Sequence, residues 1–201
     1  MKTTAIILAA GHGTRMKSKL PKVLHKALGK PMVQWVIDCL ETAGVEDKII
    51  VLGHGSDQVA QVVENQAVAV YQTEQLGTGH AVMQAAKVLP EQNQCVLVIC
   101  GDTPLLRAET IQQLIKQHQE EKNAVTVLTA LAENPTGYGR IMRQGQHIFS
   151  IVEQKDATDE QKKVKEINTG TYCFDQAFLQ QHLCDLNTNN AQKEYYLTDL
   201  I

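Results

Sequence analysis

No apolar run in this 201-residue chain approaches the roughly 18 residues that a membrane-spanning helix needs. The nearest imitation of a secretory signal, Lys2 followed by the six apolar residues Ala5–Ala10, is shorter than the roughly 7–15 residues of a signal-peptide core. The five cysteines (Cys39, Cys95, Cys100, Cys173, Cys184) contain no C-x-x-C pair and are odd in number, which argues against a disulfide framework and a zinc knuckle. They read as free thiols of a reducing compartment, acting as small core hydrophobes. Excess charge is also missing: 19 Lys and Arg face 22 Asp and Glu, a formal net charge of −3. Such a balance draws neither nucleic acid nor an anionic membrane, so any anion must be held by local geometry. Internal repeats and Pro/Gly/Ser linkers are lacking too. These absences predict a single cytosolic, water-soluble domain, and a composition of 43% hydrophobic and 20% charged residues suffices to give it a core.

What is present is an alternation. Ala5–Ala10 reads as a buried strand, and Met32–Ala43 as a helix with Val33, Val36, Ile37 and Leu40 on one face and Pro31 at its first turn. Lys48–Leu52 and Ala67–Gln72 read as strands, separated by a short helix at Asp57–Asn65. A helix at Gly79–Leu89, stopped by Pro90, precedes the most continuous apolar run, Cys95–Cys100. A helix at Ala108–Glu121 follows, with Ile111, Leu114 and Ile115 inward. Four strand–helix units in succession predict an α/β fold with a parallel, doubly wound sheet over residues 1–122. Residues 123–201 look mixed: a strand at Ala124–Ala132, a turn at Thr136–Gly139, short extended pieces at Ile148–Val152 and Tyr172–Phe174, and a solvated stretch from Lys155 to Lys165.

In such sheets ligands lie beyond the carboxyl ends of the strands, at the point where strand order reverses. After the first strand stands Gly11-His12-Gly13-Thr14-Arg15-Met16, with Lys17, Lys19 and Lys22 close behind. Glycines let backbone N–H groups approach a phosphate, and Arg15 and a lysine supply charge. Spacing excludes two familiar cradles, because Met16 stands at the third glycine of G-x-G-x-x-G and no G-x-x-x-x-G-K-[ST] occurs. After the third strand, Gln72 offers an amide suited to a base edge, and Gly77-Thr78 opens a helix. Taken alone, Thr78 fits an N-cap equally well, and His80 reads as packed rather than catalytic. After the fourth strand comes Gly101-Asp102; a carboxylate there suits Mg²⁺, which takes one or two carboxylates and completes its shell with water and phosphate oxygens. A structural turn Asp is the plainer reading.

Together, L-A-A-G-x-G-T-R-M at 8–16, L-P-K-V-L at 20–24, Gln72 with Gly77-Thr78, and Gly101-Asp102 resemble the sugar-phosphate nucleotidyltransferase (pyrophosphorylase) family. T-G-Y-G-R at 136–140, I-V-E at 151–153, E-I-N-T-G at 166–170 and E-Y-Y-L-T-D at 194–199 resemble its N-acetylglucosamine-1-phosphate uridylyltransferase branch. The resemblance implies a Rossmann-like nucleotidyltransferase fold and Mg²⁺-dependent transfer of UMP from UTP to N-acetylglucosamine 1-phosphate, serving cell-envelope precursors. It implies that Ala10 and Gly11 meet the uridine, with Leu8 and Ala9 also in the substrate-binding segment, and that Gln72 and Gly77 read the uracil edge with Thr78 beside it. Arg15 and Lys22 are then the catalytic cations on the triphosphate and Asp102 the metal ligand, with Cys100 and Gly101 beside it. Gly139, Glu153 and Asn168 hold the amino sugar and its phosphate. Cys100 stands where members of this branch often carry Tyr.

The chemistry agrees with the lack of a Ser-His-Asp or Cys-His arrangement. A sugar phosphate is already largely dianionic because its second pKa is about 6, so it needs no general base. Two other readings stay open: a related nucleotidyltransferase with another base or sugar, and a non-catalytic sugar-nucleotide-binding regulatory domain, which would be expected to lose Arg15, Lys22 or Asp102. The hexapeptide repeats of the trimer-forming β-helix found in bifunctional members of the branch do not occur here. The resemblance therefore implies a C-terminally incomplete domain, ending in what reads as a helix after Tyr195-Tyr196-Leu197, with the family's second metal-binding Asn further on and with a homotrimer only for a longer form.

Overall fold

A computed structural model describes residues 2–11, 13, 16–53, 56–91 and 95–201. The first strand shows how the sheet is built. β1 (Thr3–Ala9) is apolar from Ala5 onward, yet its residues alternate between faces: Ala5, Ile7 and Ala9 enter one core and Ile6 the other. Burial on both faces is what a strand central in a parallel sheet requires.

β1 pairs in parallel with β4 (Asp47–Leu52) on one side and β6 (Cys95–Cys100) on the other, and β5 (Val68–Tyr71) extends the sheet beyond β4. The order β5-β4-β1-β6 reverses between β1 and β6. Between β1 and β4 lie a two-strand hairpin, β2 (Lys26–Ala27) and β3 (Lys30–Pro31), and α1 (Met32–Thr42). Pro31 precedes α1 as its N-cap rather than standing in its first turn. The core on the Ile7 face is filled by α1, α2 (Ser56–Val62) and α4 (Ala108–Glu121), through Val36, Ile37, Val59 and Ile111. α3 (Thr78–Ala86) covers the opposite face with Ala81, Val82 and Ala85. Helices switch faces where the strand order reverses, as right-handed crossovers demand.

α4 has the predicted bounds and closes on Lys122 in the left-handed conformation (φ 52°). Its inward face differs by one turn: His118 is buried, whereas Ile115 is only partly covered. His118 Nδ1 lies 3.0 Å from Thr126 Oγ1, and burial holds the imidazole below its ordinary pKa.

The second half is antiparallel. β7 (Val125–Leu131) and β10 (Glu166–Asp175) pair along their length, and β10 also joins β6, so the chain forms one eight-stranded sheet. β8 (Arg140–Gln144) and β9 (His147–Val152) form a hairpin attached to β10. Four features depart from expectation. β10 spans ten residues, not only Tyr172–Phe174, because a register shift between Asn168 and Thr171, with Gly170 at φ +78°, lets polar E-I-N-T-G join the strand. β8 lacks an apolar run of its own. α5 (Gln176–His182) is short and held by Asp175, whose side chain accepts from Phe178 N. The stretch from Lys155 to Lys165 carries one 3₁₀ turn at Gln161–Lys163, and the expected terminal helix is a 3₁₀ turn at Leu197–Leu200.

Candidate functional site

The loops after β1, β5 and β6 end on the same edge of the sheet and enclose a pocket of about 530 Å³. Leu8, Ala9, Ala10, Gly11 and Lys22 line it from the first segment; Gln72, Gly77 and Thr78 from the second; Cys100 and Asp102 from the third. Gly101 lies just behind, its N–H donating 2.9 Å to Leu8 O. Arg15, with His12 and Thr14, lies outside the described residues. A larger cavity of about 700 Å³, between α4, β7 and β9, contains none of the sequence-selected residues.

Lys22 and Asp102 form an ion pair on the wall of this pocket, both partly exposed. Lys22 reaches it from a 3₁₀ turn, Lys22–Leu24, whose Val23 and Leu24 are buried as anchors. Gly13 makes the approach possible, since a Cβ there would stand 2.8 Å from Lys22 Cβ. Lys17 and Lys19, the other lysines of the segment, are exposed.

Gln72 is buried, and its amide nitrogen donates to Gly77 O at 2.9 Å and lies 3.1 Å from His80 Nδ1. The far ring nitrogen of His80 faces Gln84 Nε2 at 2.9 Å, so this histidine is held between two amides, in keeping with a packed role. Among the described residues nothing is bonded to Gln72 Oε1. Thr78 is not an N-cap: Gly77 occupies that position at φ +106°, and Thr78 Oγ1 accepts from Leu197 N at 3.1 Å. Gly77 cannot carry a side chain, because a Cβ would meet Tyr195 O at 2.7 Å.

Gly139, Glu153 and Asn168 do not line that pocket; they form an adjoining cluster. Asn168 N donates to Gly139 O at 2.9 Å, and a Cβ on Gly139 would stand 3.3 Å from Glu153 Oε1. Asn168 Nδ2 donates to Tyr172 OH at 2.6 Å and its Oδ1 accepts from Gly170 N at 3.0 Å. Burial raises the Glu153 carboxyl above the usual range, Thr198 Oγ1, donating at 3.2 Å, opposes this, and Asp156, Asp199 and Glu194 push it further up. Cys100 packs between the two regions, its Sγ 3.9 Å from Gly170 O. Burial foremost, then the Asp102 charge, pushes its thiol up to about 12.

Sequence reading left several members of the site without roles. Tyr195 pairs with the base-side loop in both directions, its N–H donating to Leu76 O (2.7 Å) and its carbonyl accepting from Gly79 N (2.8 Å). Thr198 then reaches Glu153, and Tyr196 OH donates to Asp156 Oδ2 at 3.1 Å. The E-Y-Y-L-T-D segment therefore stitches the pocket to the Glu153 cluster, and Glu194 lines the pocket itself. Arg140 is fully buried, donating to Tyr138 O and to Gln154 Oε1 (2.7 Å). Membership of the T-G-Y-G-R and E-Y-Y-L-T-D segments in family-like motifs is the only sequence signal for these residues; spacing alone assigns them nothing. Among the described residues no group of three or more His, Cys, Asp or Glu could hold a metal, and no helix is long and apolar enough to cross a membrane.

The sequence profile of the MobA-like NTP transferase domain family matches residues 5–163, which contain most of β1, every pocket-lining residue except Glu194, and Gly139 and Glu153 but not Asn168. The chain belongs to that family. As a MobA-like NTP transferase domain it is similar along its whole length to curated proteins named bifunctional protein GlmU. It is 53% identical to that of Geobacillus thermodenitrificans over 202 residues and 53% identical to that of Streptococcus mutans serotype c, covering 100% of this chain and 44% of each relative. The chain thus spans less than half the length of the curated relatives it matches. A UDP-glucose pyrophosphorylase solved with UDP-glucose superposes with a TM-score of 0.81 at 21% identity, over 100% of this chain and 85% of that one. An apo UDP-glucose pyrophosphorylase gives 0.79 at 18%, with the same coverage. At those identities the likeness is one of fold: this NTP transferase domain has the α/β nucleotidyltransferase architecture.

Proposed function

We propose that this domain transfers UMP from UTP to N-acetylglucosamine 1-phosphate, releasing pyrophosphate. The observation that carries the reading is the meeting of Lys22 and Asp102, distant in sequence, on one wall of a glycine-lined pocket at the reversal of strand order. Gln72 fits a uracil edge: with its N–H groups turned to Gly77 and His80, its carbonyl remains to accept from the base N3–H, which cytosine lacks. The sugar assignment rests on the T-G-Y-G-R, I-V-E and E-I-N-T-G motifs, whose Gly139, Glu153 and Asn168 cluster beside the pocket.

The reaction is a displacement at the α-phosphorus. A phosphate oxygen of the sugar phosphate attacks in line, one P–O bond forms and the bond to pyrophosphate breaks, without a covalent enzyme intermediate and without proton abstraction. Lys22 and Arg15 neutralise the triphosphate and the departing pyrophosphate. Asp102 fits Mg²⁺, because its carboxylate already accepts a cation in the Lys22 ammonium, and a single carboxylate suffices for an ion that keeps waters and phosphate oxygens. When bound there, Mg²⁺ draws negative charge from the phosphates.

The test is pyrophosphate release with Mg²⁺ from each of UTP, CTP, GTP and dTTP, with N-acetylglucosamine 1-phosphate present or omitted. Release that needs both UTP and the sugar phosphate is expected. Release with CTP in preference to UTP, or binding of sugar nucleotide without any release, would overturn the assignment.

A further inference from the structure

The carbonyl ends of β1, β4 and β5 converge on a contact that the proposed reaction does not use. Gln75, in the loop after β5, sends its amide nitrogen across the end of β4 to donate to Ala10 O at 2.5 Å. Gly53, the residue that leaves β4, lies directly beneath. A Cβ at Gly53 would stand 2.7 Å from Ala10 O, 2.9 Å from Ala10 Cβ and 2.9 Å from Gln75 Nε2. The φ of Gly53 is not in the left-handed region, so its lack of a side chain serves space and not conformation. Only glycine leaves room for the bridge.

The bridge joins two loops that line one pocket, since Ala10, Gly11, Gln72, Gln75 and Gly77 all face it. It also fixes a peptide plane. In a trans peptide the carbonyl of Ala10 and the N–H of Gly11 point in opposite directions, so holding Ala10 O toward Gln75 aims the Gly11 N–H away from β4 and β5. On the other side of β1 stand β6 and, beyond it, Asp102.

We infer that Gln75 is a positioning residue, with Gly53 as its seat, that orients the Ala10–Gly11 peptide so that the Gly11 N–H is presented to the bound nucleotide. The inference rests on the nucleotide reading of the pocket. Gln75 does not touch reacting atoms. It couples the loop that meets the base to the loop that meets the phosphates, so disturbing either side weakens the same interaction.

The experiment is a double-mutant cycle on the 201-residue chain, with Gln75→Met, which keeps volume but has no donor, Gly53→Ala, and both together. Affinity for MgUTP is measured by calorimetric titration, Tm without nucleotide by circular dichroism, and the Gly11 amide by ¹⁵N–¹H NMR. Each single variant is expected to bind MgUTP roughly tenfold more weakly, the value of one neutral hydrogen bond, and to shift the Gly11 resonance. The double variant is expected to lose no more than either single one, because both act through one contact. Unchanged MgUTP affinity in Gln75→Met, or additive losses in the double variant, would overturn the clamp while leaving the nucleotide reading intact. Failure of the parent chain to bind MgUTP would overturn both. Should Gly53→Ala fold poorly, Gln75→Met and Gln75→Glu carry the test, the carboxylate being expected to weaken binding more because it repels Ala10 O.

Discussion

The Lys22 ammonium rests against the Asp102 carboxylate, so two groups of opposite charge that a metal-bound triphosphate would separate are partners without it. Under the proposed reaction, nucleotide binding would amount to an exchange, with Lys22 passing to phosphate oxygens and Asp102 free to hold the metal. Competition for one carboxylate makes metal binding and lysine pairing mutually unfavourable. Lys22→Met is therefore expected to bind Mn²⁺, a magnetic stand-in for Mg²⁺, about fivefold or more tightly without nucleotide, while binding UTP more weakly. Paramagnetic resonance of free Mn²⁺ measures the first effect; equal Mn²⁺ affinity in parent and variant would contradict the exchange. Asp102→Asn should lose metal-dependent turnover with the fold intact, and Arg15→Ala should lower turnover by about 10²-fold or more.

Glu153 is expected to trade stability for binding. Its folded-state pKa lies above the ordinary 4.5, chiefly through burial, so folding favours the protonated form. The contribution to stability is present below pH 4.5 and is lost as pH rises through the raised value, leaving an ionised, buried carboxylate as a cost at neutral pH. Glu153→Gln should accordingly raise Tm at pH 7–8, with the advantage shrinking as the solution is acidified. The same variant should raise the KM for sugar phosphate by about tenfold, the worth of a charged hydrogen bond. A KM that stays put would remove Glu153 from the sugar site.

Arg140 holds the turn that ends in Gly139. Its guanidinium is buried, has neutral acceptors in Tyr138 O and Gln154 Oε1, and leaves Nε without a partner among the described residues. Arg140→Met strands both acceptors, and a loss of about 2–4 kcal/mol in urea denaturation is expected. Arg140→Lys should recover part of it. An unfolding midpoint unchanged in Arg140→Met would show that the turn holds itself.

Thiol chemistry reports on the pocket wall. Cys184 is exposed, Cys95 and Cys173 are buried, and Cys100 is pushed up to about 12. Iodoacetamide at pH 8 should therefore label Cys184 first and the half-buried Cys100 far more slowly, as peptide mass mapping would record. Rapid labelling of Cys100 in the native chain would mean that the thiol faces open solvent.

The parallel half of the fold was legible because its signals are local. Ala5–Ala10 and Cys95–Cys100 are unbroken apolar runs, α4 shows its period within a few turns, and Pro90 stands shortly beyond the end of α3. β8, α5 and the full length of β10 were not legible, because R-I-M-R-Q and E-I-N-T-G become strands only by pairing with chain already in place. The same division runs through the site.

Sequence by itself determined which residue types stand at the ends of the strands: glycines, Lys22, Gln72 and Asp102, each where an open parallel sheet would carry a ligand. Tertiary structure alone decided who meets whom. Gln75 clamps Ala10, Lys22 pairs with Asp102, Thr78 accepts from Leu197, and Thr198 donates to Glu153, contacts that bridge from 45 to 119 residues of chain. Periodicity registers neighbours within a turn or along one strand, whereas hydrogen bonds and ion pairs of this kind exist only after the sheet has brought its carboxyl ends together.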